Sequence, residues 1–130
     1  MGLFNKIFGE SGGKDTSSGN VEWNHLTNIK QLEHIIHESA EAPVLIFKHS
    51  TRCAISKMAL RNFEKEYDIE AGKAKPYFLD LLEHRDISNE IATIFHVTHQ
   101  SPQLLVIKDG VVVYHTSHGD IDAGVLKAKL

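Results

Sequence analysis

Pro43-Val44-Leu45-Ile46-Phe47-Lys48-His49-Ser50-Thr51-Arg52-Cys53-Ala54-Ile55-Ser56 is the stretch whose reading decides the fold. Its first half, Val44 to Lys48, is a short apolar run behind a proline and reads as a buried strand. Its second half opens a helix-patterned segment, Ala54 to Tyr67, with Ile55, Met58, Ala59 and Phe63 expected to face inward. At the junction sits the only cysteine of the chain, Cys53. A thiol at the mouth of a helix meets unpaired N–H groups and the positive end of the helix dipole, and both favour a thiolate. The thiolate is the nucleophile of disulfide exchange. Ser56 stands where a C-x-x-C pair would carry its second sulfur, so redox chemistry here must run through one thiol.

Working outward, Asn28 with Gln31 resembles a capping box, and Ile29, Leu32, Ile35 and Ile36 then repeat at helical spacing. That helix is expected to end near Ala40, after a short first strand at Trp23 to Leu26. On the other side of Cys53, Pro76 opens a strand from Tyr77 to Leu82. Asp86 is placed to cap a third helix with Ile87, Ile91, Ile94 and Phe95 on its apolar face. The period then changes. Gln103 to Lys108 and Val111 to Thr116 are apolar and β-branched, joined by Asp109-Gly110, the strongest hairpin signal in the chain. Gly119 breaks the last strand and Asp122 can cap a terminal helix to Leu130. The order β-α-β-α-β-α-β-β-α predicts an α/β fold, a mixed central sheet of four to five strands flanked by helices.

Composition narrows the class. The 130 residues carry a net charge of −3 with both signs interspersed, which gives no footprint for nucleic acid. One cysteine cannot make an internal disulfide framework, which argues against a small secreted scaffold. No apolar stretch approaches the roughly 20 residues that span a bilayer, and the start lacks the pattern of a signal peptide or a myristoylation site. A reducing cytoplasm is the expected compartment, with no stable membrane association. Residues 1–20, in which Leu3, Phe4, Ile7 and Phe8 precede a Gly/Ser-rich run, are expected to form a flexible N-terminal segment. The folded domain is expected to occupy 21–130.

Three further features converge on the thiol. Lys48, Arg52 and Lys57 lie within five residues of Cys53, with His49 also near, and cations favour a thiolate. The hydroxyl or backbone N–H of Ser56, one helical turn on, is placed to donate to Cys53. Ser101-Pro102 precedes the strand at Gln103, where a proline needs no ladder N–H. A cis bond there would expose the Ser101 backbone to an extended substrate segment. His49 is a candidate proton donor to the leaving group. The other histidines, including the pairs His34/His37 and His96/His99, complete no familiar metal set and read as surface residues.

Cys-x-x-Ser after a strand, Pro102 before a hairpin, and Lys108-Asp109-Gly110 between the last strands together resemble the thioredoxin fold over about Val21 to Leu130. Thr51-Arg52-Cys53-Ala54-Ile55-Ser56, with Met1-Gly2-Leu3-Phe4-Asn5-Lys6, is similar to the monothiol bacilliredoxins of certain bacteria. That resemblance implies an oxidoreductase that removes bacillithiol from protein mixed disulfides, with Cys53 as nucleophile, Ser56 in the resolving position and Pro102 as the cis-proline. It further implies bacillithiol as thiol co-substrate, S-bacillithiolated proteins as partners, reduction by free bacillithiol or a reductase, and no bound cofactor or metal. Catalysis is assigned to Cys53, Ser56 and Arg52, and substrate binding to Lys48, His49, Thr51, Ser101 and Pro102. Lys48 and Arg52 are expected to pair with the carboxylates of bacillithiol's malate group.

The sequence departs from thioredoxin in having Phe47 where a buried Asp stands six residues before the nucleophile, and Arg52 in place of a Trp. Cys-Ala-Ile-Ser also differs from the Cys-Gly-Phe-Ser of cluster-binding monothiol glutaredoxins. A monomer is expected. Rival readings are a monothiol glutaredoxin-like reductase using another small thiol, a thioredoxin-like binding module without turnover, and an iron–sulfur cluster shared in a dimer.

Overall fold

Alternation of strand and helix carries through residues 21–130, the part of the chain that this computed structural model describes. The expected N-terminal segment at 1–20 lies outside the described residues. The elements are β1 (Asn24–His25), α1 (Gln31–Glu38), β2 (Val44–His49), α2 (Ala54–Glu66), β3 (Lys75–Asp80), α3 (Arg85–Phe95), β4 (Gln103–Lys108), β5 (Val111–Ser117) and α4 (Ala123–Ala128). A 3-10 turn at His118–Asp120 links the last two.

The sheet order is β1-β3-β2-β4-β5. β1 and β2 run parallel to β3, β4 runs antiparallel to β2, and β5 runs antiparallel to β4. All six residues of β2 are buried, because the strand is central and both its faces are covered. Pleating sends Val44 and Ile46 to a core with Leu32, Ile35, Leu79, Ile87, Ile91 and Phe95, under α1 and α3. Leu45 and Phe47 go to the other core, with Phe63, Tyr67, Leu104, Val106 and Leu126, under α2 and α4. Trp23 seals the second core, stacking on Phe63 at 6.0 Å between centroids and donating its indole N–H to Glu64 at 2.7 Å.

Local chemistry sets the element ends. Asp109 (φ 51°) and Gly110 (φ 78°) both occupy the left-handed region, as a two-residue hairpin turn of this twist requires. Ser39 ties this turn to the end of α1. Its backbone carbonyl accepts from Asp109 N–H at 2.9 Å, and its hydroxyl accepts from Gly110 N–H at 2.8 Å. Asp122 caps α4 by accepting the Val125 N–H at 3.0 Å. At α1, Gln31 Oε1 reaches back to the N–H of Asn28 at 2.9 Å, and Asn28 Oδ1 accepts from Lys30 N–H at 2.8 Å.

Four expectations are corrected. Ile29 and Ile36 stay exposed, since only Leu32 and Ile35 of α1 are buried. In α2, Ile55 and Met58 are 57% and 61% exposed, and the buried positions are Ser56 and Phe63. These two are seven residues apart, two helical turns, and so share one stripe. Asp86 lies in the first turn of α3 without capping it; the cap position is His84, with no side-chain bond. The preceding turn is held instead by Asp80, whose Oδ1 accepts from Leu82 N–H at 3.1 Å. Finally, β3 begins at Lys75, bonded to Pro43 O, so Pro76 lies inside the strand rather than before it.

Candidate active site

Cys53 is the N-cap of α2. Its backbone is extended (φ −105°, ψ 121°), its carbonyl accepts from Lys57 N–H at 3.0 Å, and its N–H donates to Ser50 O at 3.2 Å. The turn Ser50–Cys53 thus delivers the thiol from the end of β2 to the helix mouth, where it is partly exposed. The thiol makes no side-chain capping bond, and the first turn of α2 holds no acidic residue to offset the helix dipole. Thr51 and Arg52 are exposed beside it. A shallow hollow of about 100 Å³ runs along α2 between Ile55, Met58, Ala59, Asn62 and the His118–Ile121 turn.

Ser56, the third residue of α2, is fully buried. Its Oγ accepts from Ser50 N–H at 3.0 Å and lies 2.8 Å from His49 Nδ1. His49 was expected at the substrate. Instead it is 5% exposed, with its ring against those of Phe47 and Phe78 at centroid distances of 6.5 and 5.5 Å. Burial pushes the His49 imidazole below its ordinary value, with Asp80 opposing this and Lys57 adding to it. The neutral ring is therefore favoured at neutral pH.

Lys48 is corrected too. Expected as a charge beside the thiol, it is wholly buried and points to the opposite face of the sheet from His49, because successive strand residues alternate. Its Nζ donates to Ser88 O and lies near His99 Nδ1, both at 3.3 Å. Burial lowers Lys48 to about 8. His99 is lowered by burial, then by Lys48 and Arg85. The sequence reading places His99 at the surface, where it is, and assigns no role to Ser88; it links neither to Lys48. Ser88 carried a signal, a polar residue between the buried Ile87 and Ile91, but nothing marked the loop position of His99.

The loop that carries His99 ends in the Ser101-Pro102 bond, which is cis. Gln103 Nε2 donates to Thr98 O at 3.0 Å and braces this loop. Pro102 is buried and its carbonyl accepts from His118 N–H at 3.1 Å. Ser101 makes no backbone hydrogen bond among the described residues. Among the described residues, no group of three or more His, Cys, Asp or Glu side chains is placed to hold a metal ion.

A thiol at a helix N-cap after a central strand, with a cis-proline before the β4-β5 hairpin, defines a thioredoxin-fold thiol oxidoreductase. The solved structures agree. A candidate oxidoreductase with a thioredoxin fold is similar at 34% identity, covering 80% of this chain and 89% of its own, with a TM-score of 0.68. Malassezia sympodialis thioredoxin (Mala s 13) matches at 21% identity over 90% of this chain and 95% of its own, with a TM-score of 0.65. Mitochondrial thioredoxin 3 from Saccharomyces cerevisiae matches at 21% over 82% and 92%, with a TM-score of 0.58. The last two share the fold alone. The model of the monothiol bacilliredoxin family BrxC matches residues 24–126, and the chain belongs to that family. No helix among the described residues is long and apolar enough to cross a membrane.

Proposed function

We propose that this protein removes bacillithiol from protein mixed disulfides by a monothiol route. In the first step the Cys53 thiolate attacks the bacillithiol sulfur of a protein–S–S–bacillithiol adduct. That disulfide breaks, a Cys53–S–S–bacillithiol bond forms, and the target protein leaves as a thiolate that takes a proton from water. A second thiol, free bacillithiol or a partner reductase, then attacks the bacillithiol sulfur and releases Cys53. Family membership together with a single, partly exposed cysteine at the mouth of α2 is the observation that carries this reading.

Arg52, exposed next to the thiol, is assigned to the malate carboxylates, and Thr51 to the same mouth. Ser101 and Pro102 are assigned to the target's backbone. The exposed Ile55 and Met58 suit an apolar side chain of a protein target. Lys48 takes no direct part in this scheme, being buried away from solvent. The protein is assigned to a reducing cytoplasm as a monomer, with no bound cofactor.

The test is exposure of the full chain to a bacillithiol-modified protein, followed by mass analysis. The bacillithiol mass is expected on Cys53, and on no residue of Cys53→Ser. Arg52→Ala should slow exchange with bacillithiol adducts by up to about fivefold, the value of one exposed ion pair, and leave exchange with an uncharged small-thiol adduct unchanged. Equal rates with glutathione adducts would support a broader monothiol reductase instead. No transferred mass would leave a thioredoxin-shaped binding module.

A further inference from the structure

Residues 98–101 lie in the loop between α3 and β4 and make no backbone–backbone hydrogen bond among the described residues. Side chains therefore hold them. Gln103 Nε2 donates to Thr98 O at 3.0 Å, and Lys48 Nζ lies 3.3 Å from His99 Nδ1. Both holds issue from one place, because Lys48 and Gln103 are register partners on β2 and β4, and cross-strand partners share a face. Ser88 on α3 completes the second hold. Its carbonyl accepts from Lys48 Nζ at 3.3 Å, and its hydroxyl lies 3.3 Å from the same His99 Nδ1. An ammonium has donors only, so Nδ1 is the acceptor and the ring is neutral with its proton on Nε2. Lys48 is wholly buried, and no carboxylate among the described residues pairs with it. Such a costly charge is kept where function needs it.

We propose that Lys48 is a positioning residue for target binding, acting through His99 to hold the loop whose end, Ser101-Pro102, is assigned to the target's backbone. The proposal rests on that assignment and is independent of which small thiol is handled. Only Gln100 separates His99 from Ser101, so the hold on the ring fixes the backbone that meets the target. The hold is also sensitive to protons. An imidazolium carries a hydrogen on Nδ1, which sets a donor and a positive charge against Lys48 Nζ. The charged groups that act on His99 are Lys48 on β2 and Arg85 on α3, and after burial both keep the ring neutral. Lys48 keeps its own charge up to about pH 8. The hold is thus made at neutral pH and released in acid, as His99 charges below the ordinary imidazole value.

The test compares wild type, Lys48→Met, His99→Ala and His99→Asn between about pH 5 and about pH 8, a range that brackets imidazole titration. The readout is the rate of exchange with a protein mixed disulfide divided by the rate of Cys53 alkylation by iodoacetamide at the same pH, which cancels the thiolate fraction. Bacillithiol-modified and glutathione-modified forms of one target protein are both used, because the loop meets the target and not the small thiol. Wild type should show a ratio that falls in acid. Lys48→Met and His99→Ala should lower the ratio about tenfold at neutral pH, the worth of one hydrogen bond to a charged group, and remove its fall in acid. His99→Asn places an amide oxygen where Nδ1 stood, so it should keep the wild-type ratio and hold it constant into acid. An unchanged ratio in Lys48→Met or His99→Ala overturns the proposal, and so does an acid-side fall that survives in His99→Asn. NMR titration tests the hold without any target. In wild type the Ser101 amide shift should follow His99; in Lys48→Met, His99 should titrate at higher pH and Ser101 should no longer follow. A Ser101 amide that ignores His99 in wild type would overturn the hold. Wild type that exchanges with neither adduct would refute the proposed function instead, and the amide shift would still decide the hold.

Discussion

Replacing Lys48 by Met should stabilise this protein, although it deletes two hydrogen bonds. Lys48 is fully buried, it meets only the neutral Ser88 carbonyl and His99 ring, and no carboxylate among the described residues pairs with it. Burial lowers its value from 10.5 to about 8. Below pH 8 the lysine is charged in both folded and unfolded chains, so the folded state carries the full desolvation cost, about 3 kcal/mol at 1.36 kcal/mol per unit. The two hydrogen bonds return about 1 kcal/mol. Met keeps the aliphatic stem, so Lys48→Met should gain about 2 kcal/mol at pH 7. The sign of the pH dependence follows from the same shift. Between about 8 and 10.5 the unfolded chain binds the proton that the folded chain has released, so wild-type stability rises with pH there. The variant lacks this rise, and its advantage should shrink steadily across that window. Tyr67 and Tyr77, both raised by burial, act in the opposite direction above about pH 10, so the comparison is best made below it. Urea unfolding of both proteins at a series of pH values measures the difference. A variant less stable than wild type at every pH, with a parallel curve, would show that the buried ammonium is compensated and refute the reasoning.

Two further outcomes test the helix ends. Asp122→Ala removes the acceptor for Val125 N–H and should cost about 1 kcal/mol by urea unfolding, with exchange through Cys53 unchanged. Ser56→Cys places a second thiol three residues from Cys53 in the first turn of α2. Mass analysis after reaction with a small-molecule disulfide should then find an internal disulfide between Cys53 and the introduced sulfur, in place of a trapped adduct on Cys53. Persistence of the adduct would show that the buried position cannot reach the attacking sulfur.

The architecture was legible because each signal was local: the apolar run at Val44, the helical spacing around Ile87 and Ile91, the Asp109-Gly110 turn, and the cap at Asp122. On α2 the expected inward positions Phe63 and Ala59 hold, but apolarity misleads at the first turn. Ile55 and Met58 are apolar and exposed beside the thiol, while a serine occupies the core stripe. Phe63 held the correct signal, since its inward position places Ser56 inward two turns earlier. Placement was legible for Thr51, Arg52 and Cys53 at the helix mouth and for the cis bond before Pro102, all set by chain neighbours. It was not legible at Lys48 and His49, whose surroundings come from α3, the 96–102 loop and α2. In a strand buried on both faces, sequence alternation says that two neighbours point apart, but not which layer each one enters.

That alternation has a functional consequence at the end of β2. Lys48 and His49 are consecutive, so one backbone position sends a cation beneath the cis-proline loop and the next sends an imidazole beneath the thiol helix. Both groups are lowered by burial, so the structure disfavours charge at each. Phe47 fills the position of the thioredoxin acid with an aromatic ring, packed 5.6 Å from Phe63. Proton management at the thiol cannot then run through a carboxylate at that position. Under the thiol helix, Ser56 Oγ and His49 Nδ1 form a buried polar pair at 2.8 Å, and Asp80 is the register partner of His49 on β3. A lone thiol needs no base for a second buried sulfur, and in this fold the position of that sulfur holds a serine bonded to the imidazole of the preceding strand.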